Sequence, residues 1–140
     1  MHDLGKTQRD YAVYLPAISS FYVKQLEKIA RDGGRVPEGF ELGHEGMDFL
    51  KDKDVYYHYP WGLYSAGHAQ LDLAKLDGEP MITNRDKNKT MILGDSGGFQ
   101  IATGVIKMDW KNAIDPNDPA RQELVEKILK WEEEQCDWAM

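Results

Sequence analysis

At 140 residues the chain is long enough for one domain with a real core and too short for two ordinary ones. An apolar fraction of 41% beside 29% charged residues excludes a disordered polymer. The formal charge of −7 argues against the segment as a whole being a phosphate-gripping surface, since that grip comes from Lys and Arg.

No apolar run approaches a bilayer span, and the opening "MHDLGKTQRD" lacks the apolar segment of a signal peptide, so no membrane partner is expected and the compartment is the cytoplasm. A single cysteine, Cys136, makes no intrachain disulfide and reads as a small buried residue at a helix end. His2, His44, His58 and His68 show no paired metal-ligand spacing, so no metal site is expected within these residues.

In chain order, Tyr11 to Ser19 reads as a strand, rich in β-branched and aromatic residues around Pro16. A helix follows in "SSFYVKQLEKIARDGG", with Ser at its head, Gly33 and Gly34 at its tail, and Phe21, Leu26, Ile29 and Ala30 as its apolar stripe. "RVPEGFELGHEG" is a loop, and "MDFLKD" makes one or two helical turns. Tyr56, Tyr57, Tyr59, Trp61 and Tyr64 form an aromatic concentration that reads first as strand and core packing and second as a surface for stacking bases. The basic tract Asn84 to Lys89 reads first as a solvated loop and second as a phosphate contact. Met91 to Leu93 is a short buried strand. The clearest helix begins at Asp118, its cap, and Pro119, its first residue, with Leu124, Val125, Ile128, Leu129 and Trp131 as its stripe. "DWAM" starts another strand. Strand, loop, helix and strand make a βαβ unit, so the fold class is α/β with parallel strands.

The run "GDSGGFQ", Gly94 to Gln100, lies at the C-terminal end of the Met91 strand, where parallel α/β folds carry their chemistry. Its letters admit two enzymes. Gly-Asp-Ser-Gly-Gly is the trypsin-like pattern, with Ser96 as nucleophile. That chemistry needs a histidine base, and the one tempting candidate, His68, lies only 28 residues earlier, where two separate β-barrels do not fit. Phe99 also stands where that pattern has Pro. Alternatively Asp95 exchanges a proton, Gly97 and Gly98 let backbone approach a flat ligand, Phe99 stacks, and the Gln100 amide bonds a base edge. Without further information, the same run also reads as a tight turn in which Asp95 and Ser96 bond nearby amides.

"DSGGFQ" after an apolar strand resembles the signature of the tRNA-guanine transglycosylase superfamily. The resemblance implies a (β/α)8 barrel that exchanges guanine in a nucleic acid for a 7-deazaguanine. It makes Asp95 the general acid/base and Phe99 one side of a stacking sandwich, with Ser96, Gly97, Gly98 and Gln100 lining the pocket. The Thr-Pro-Val-Phe-Met-Pro-Val and Asn-Thr-Tyr-His-Leu segments usual in tRNA-modifying members are absent. "YAVYLPAISSFYVKQLEK" and "YYHYPWGLYSAGH" are more similar to the branch, found in phages and bacterial genomic islands, that inserts 7-deazaguanines into DNA. DNA is therefore the favoured polymer and tRNA the alternative.

A closed barrel needs roughly 250 residues, so residues 1–140 are expected to be its N-terminal part, with no second domain. The family's nucleophilic Asp and its zinc site of three Cys and one His come later than these residues, and zinc is expected there rather than here. The expected protein partner is a second copy or a C-terminal half. The second functional reading is a non-catalytic module that retains a base pocket or an oligomer surface.

Overall fold

The computed structural model describes residues 12–33, 38–69, 71–74, 79–109 and 115–140. Their centre is a parallel sheet of three strands, β1 (Trp61–Ser65), β2 (Met91–Asp95) and β3 (Trp138–Ala139), in the spatial order β1-β2-β3. Trp61 pairs with Met91 and Ser65 with Asp95, while Leu93 pairs with Trp138. Chain order and spatial order agree. The α/β class with parallel strands is therefore established.

The segment before α1 departs from its expected form. Tyr11 lies outside the described residues, and of 12–19 only Ala17 pairs, through one parallel bridge to Leu63. Leu63 donates its N–H to the Pro16 carbonyl at 2.9 Å and accepts from Ile18 N at 2.8 Å. Pro16 has no N–H of its own to give a ladder, which helps keep the pairing to this single bridge.

Helix α1 (Ser20–Asp32) starts where the Ser19 hydroxyl accepts from Tyr22 N at 3.1 Å and stops at Gly33, whose left-handed φ of 65° suits a residue without Cβ. It buries Val23 and Leu26, whereas Phe21 and Ala30 of the expected stripe face solvent. The helical turn expected in "MDFLKD" falls earlier, as a 3-10 turn over Glu45–Met47. Gly46 is packed there beneath the Tyr56 ring, where a Cβ would stand 2.7 Å from Cε2.

Helix α4 (Pro119–Gln135) is capped as expected, the Asp118 carboxylate accepting from Arg121 N at 2.9 Å. Its buried face is Ile128, Trp131, Glu132 and Gln135, the i, i+3, i+4, i+7 stripe. Val125 and Leu129 are exposed, so the stripe is rotated away from the most apolar line toward one that includes two polar residues. Gly94 is the reason. With no side chain on β2 at that point, the Glu132 and Cys136 side chains fill the space, and a Cβ on Gly94 would lie 2.8 Å from Cys136 Sγ and 3.2 Å from Glu132 Cγ.

One core joins Ile18, Val23, Leu26, Tyr64, Ile82, Ile92, Ile128 and Trp131. Each such side chain stabilises the fold by about 1.5–3 kcal/mol when fully buried. Alternation along the strands puts Gly62, Tyr64, Ile92 and Gly94 on this helical face. The opposite face carries Leu63 and Leu93, both half-buried, and Trp138, 65% exposed. Among the aromatics, Trp61 and Tyr64 are buried as packing predicts, while Tyr56 and Tyr57 remain exposed and Tyr57 stacks on Tyr59.

The basic tract is not wholly solvated. Arg85 is buried: Nη1 donates to Thr90 Oγ1 at 2.9 Å, and Nη2 donates to the Gln135 carbonyl and pairs with the Asp137 carboxylate, both at 2.8 Å. The same Asp137 oxygen accepts from Ile92 N at 2.8 Å. This buried cation fastens the entry of β3 to β2. No described helix is long and apolar enough to cross a membrane.

Candidate active site

Asp95 closes β2, and its carbonyl accepts from Ala66 N at 2.7 Å, tying the exit of β2 to the turn that leaves β1. Beyond it Gly97 adopts φ 76° and ψ 17° and starts the short helix α3 (Gly98–Ala102). A Cβ at Gly97 would meet Gly67 N at 2.5 Å, so both conformation and room demand glycine. A Cβ at Gly67 would in turn stand 2.5 Å from Gln100 Oε1. The turns after β1 and β2 thus interlock, backbone on backbone.

Gln100 is buried within this clasp. Its Oε1 accepts from the Ser65 hydroxyl at 3.2 Å, and its Nε2 lies 3.1 Å from His68 Nε2. Gly97 and Gln100 therefore form the frame of the motif. Asp95 is half-buried, whereas Ser96, Gly98 and Phe99 face solvent, with Phe99 74% exposed. Gly98 has no packing reason to be glycine, because a Cβ there would find only Ser96 Oγ, at 3.9 Å. The ground above it is open.

The Asp95 carboxylate makes no side-chain hydrogen bond or ion pair with the described residues, so the turn-bonding alternative does not describe it. Nor does Ser96 Oγ have a hydrogen-bond partner among them, and the His68 ring is engaged by Gln100 instead. No Ser96–His68 dyad forms. A carboxylate at a strand end beside open space can accept a proton from, or hold one for, a bound base.

Sequence reasoning missed what three neighbours do, having weighed His68 only as a base for Ser96. Ser65 and His68 reach the motif through the β1 turn, and nothing in their spacing announces it. Glu132 is the third. Its Oε1 is buried without a hydrogen-bond partner, and burial first, then the Asp95 charge, holds its carboxyl above the ordinary glutamate range. Its burial follows from the missing side chain at Gly94 on β2 and has no signal within α4. Next to it the Cys136 thiol, half-buried, is pushed up to about 12, by burial first and by the Glu132 charge second, which makes it inert at neutral pH.

A cleft of about 440 Å³ between α1, the 3-10 turn and α2 (Pro80–Thr83) is lined by Leu26, Leu50, Met81 and residues that precede β2, and by none of residues 95–100. No group of three or more His, Cys, Asp or Glu suited to a metal ion occurs among the described residues. No family model matches the chain, and no curated protein or solved structure matches it significantly.

Proposed function

We propose that the chain is the N-terminal part of a (β/α)8 barrel of the guanine-transglycosylase kind, whose site exchanges a guanine of DNA, or of tRNA, for a 7-deazaguanine. The observation that carries this reading is the setting of Asp95: a carboxylate with no hydrogen-bond or ion-pair partner among the described residues, at the C-terminal end of a parallel strand, beside open ground over Gly98 and an exposed Phe99 ring. The sheet supports it too. Strands that neighbour in space in chain order, without reversal, put right-handed crossovers on one face, as a barrel wall requires and a doubly wound sheet does not. The half-buried Leu63 and Leu93 and exposed Trp138 then belong to the inward face of that wall.

In this mechanism Asp95 is the general acid/base. Guanine leaves poorly unless the negative charge developing on it is neutralised, and a positioned carboxyl supplies the proton, then removes one from the incoming 7-deazaguanine. Phe99 stacks on the base, a contact worth roughly 1–3 kcal/mol. Ser96 and Gly98 line the open approach, while Gly97 and Gln100 hold the frame on which it rests. The nucleophile for the sugar C1′ and the family's zinc ligands belong to later strands in this reading. The residues described do not fit a zinc ion, and no step here runs through one.

The test presents the full-length protein, including the later strands that carry the nucleophile, with DNA and, separately, tRNA carrying labelled guanine, together with free 7-deazaguanine, and follows release of label; residues 1–140 alone are expected to be inactive. Release from DNA in excess of tRNA is expected. Free base that binds without release from either polymer selects the non-catalytic base-binding module instead.

A further inference from the structure

The cleft between α1, the 3-10 turn and α2 has walls that are tied to one another. The Tyr22 hydroxyl donates to the Met47 carbonyl and holds α1 to the 3-10 turn, while Lys89 Nζ pairs with Asp52 at 2.6 Å and holds the loop before β2 to the segment after that turn. Leu26 and Ala30 of α1, with Pro80 and Met81 of α2, give it an apolar lining. Its volume of about 440 Å³ is that of a small-molecule pocket.

Most of the charges around it have partners or stand in water. Lys89 also faces Asp86 at 3.8 Å, Glu27 takes the Arg31 cation at 3.2 Å, and the Arg85 guanidinium is buried against Asp137. Glu45, Lys51 and Lys53 are exposed. Asp48 differs. It lines the cleft half-buried, its Oδ1 accepts one bond, from Leu50 N at 3.2 Å, and no cation pairs with it among the described residues. A carboxylate has about four acceptor sites, so most of its capacity is open. Burial holds its carboxyl above the ordinary aspartate range, and the Leu50 N–H and the Lys51 charge offset this only in part.

We propose that this cleft binds a small organic cation, an ammonium or amidinium carried on an apolar body, with Asp48 accepting its N–H groups and Leu26, Ala30, Pro80 and Met81 packing the body. Bonds from a cationic N–H to a carboxylate are about twice as strong as neutral ones, and the cation restores what burial takes from Asp48. The site is separate from that of Asp95. It lies where the chain enters β2, the opposite end of the strand, and shares no residue with 95–100.

The experiment titrates the full-length protein with benzamidine, and with benzamide and benzoate as its neutral and anionic counterparts. Wild type, Asp48→Asn and Ala30→Phe are compared, with the Met81 methyl resonance reporting the place of binding, calorimetry the affinity and thermal melting the fold. Asn keeps an acceptor for Leu50 N and removes the charge, whereas Phe at the exposed Ala30 fills the cleft and leaves Asp48 in place. Benzamidine is expected to shift Met81 saturably and to bind about tenfold or more tighter than benzamide, with no binding of benzoate. Asp48→Asn should lose that preference, and Ala30→Phe should lose benzamidine binding. No saturable shift at Met81, equal affinity for benzamidine and benzamide, or an undiminished preference in a folded Asp48→Asn overturns the inference. Should Asp48→Asn not fold, the wild-type comparison of the three probes and the Ala30→Phe titration decide it.

Discussion

Gly97 sits so close to Gly67 that a Cβ on residue 97 would stand 2.5 Å from the Gly67 nitrogen and 2.9 Å from its Cα. The contact is backbone on backbone, with no flexible side chain to yield. It joins the exits of β1 and β2, and it fixes the height at which Asp95 and Phe99 are presented.

The adjacent glycines consequently separate by experiment. Gly97→Ala combines a left-handed φ of 76° with this overlap and should destabilise the chain by at least about 1–3 kcal/mol in urea denaturation. Gly98→Ala lies at a helix start with no close neighbour and should leave stability within about 1 kcal/mol. It fills the open ground, however, so base affinity should fall. Equal stability of the two variants would remove the clasp from the account.

Arg85 is the second point of leverage. Arg85→Met leaves the Asp137 carboxylate without its cation and takes donors from Thr90 and the Gln135 carbonyl. Breaking a buried pair by deleting one partner costs about 3–5 kcal/mol. Denaturant unfolding should show a loss of that size, with hydrogen exchange rising at β3 before β2. A loss under about 1 kcal/mol would mean that Arg85 does not fasten the strand.

Glu132 gives the pH dependence. Burial, and then the Asp95 charge, raise its folded pKa above that of the unfolded chain, about 4.3. Between those two values the folded state binds more protons, so stability falls as pH rises through the window, and the penalty is complete above the folded pKa. Glu132→Gln, neutral throughout, should melt higher than wild type at neutral pH, and the gap should close below the unfolded pKa. Asp95→Asn lowers the folded pKa of Glu132 and should narrow the same window from its high-pH end. A gap independent of pH would show that Glu132 is not the titrating group.

These residues also mark how far the sequence could be read. The caps of α1 and α4 were legible because Ser19, Gly33, Asp118 and Pro119 act within one turn of themselves. Parallel α/β order followed from the alternation of strand and helix, and the strand-end position of Asp95 from the apolar run before it. Arg85 read as part of a solvated loop because its partners, Gln135 and Asp137, lie some fifty positions away. The α4 stripe turned out to include Glu132 because of a missing side chain at Gly94, an effect no periodicity within α4 records. Gln100 was legible as part of the motif but not as one end of a chain through Ser65 and His68, since that depends on two turns meeting.

The most direct measurement is the rate of guanine exchange by the full-length protein, wild type and Asp95→Asn, on the polymer that wild type prefers. Asn keeps the size and much of the hydrogen bonding of Asp while removing proton transfer, and the Asp95 side chain has no hydrogen-bond partner among the described residues whose loss would disturb the fold. The expected exchange rate is about 10²- to 10⁴-fold lower, with free-base binding retained and the melting temperature no lower than that of wild type. Exchange at the wild-type rate would reduce Asp95 to a turn residue and contradict the site.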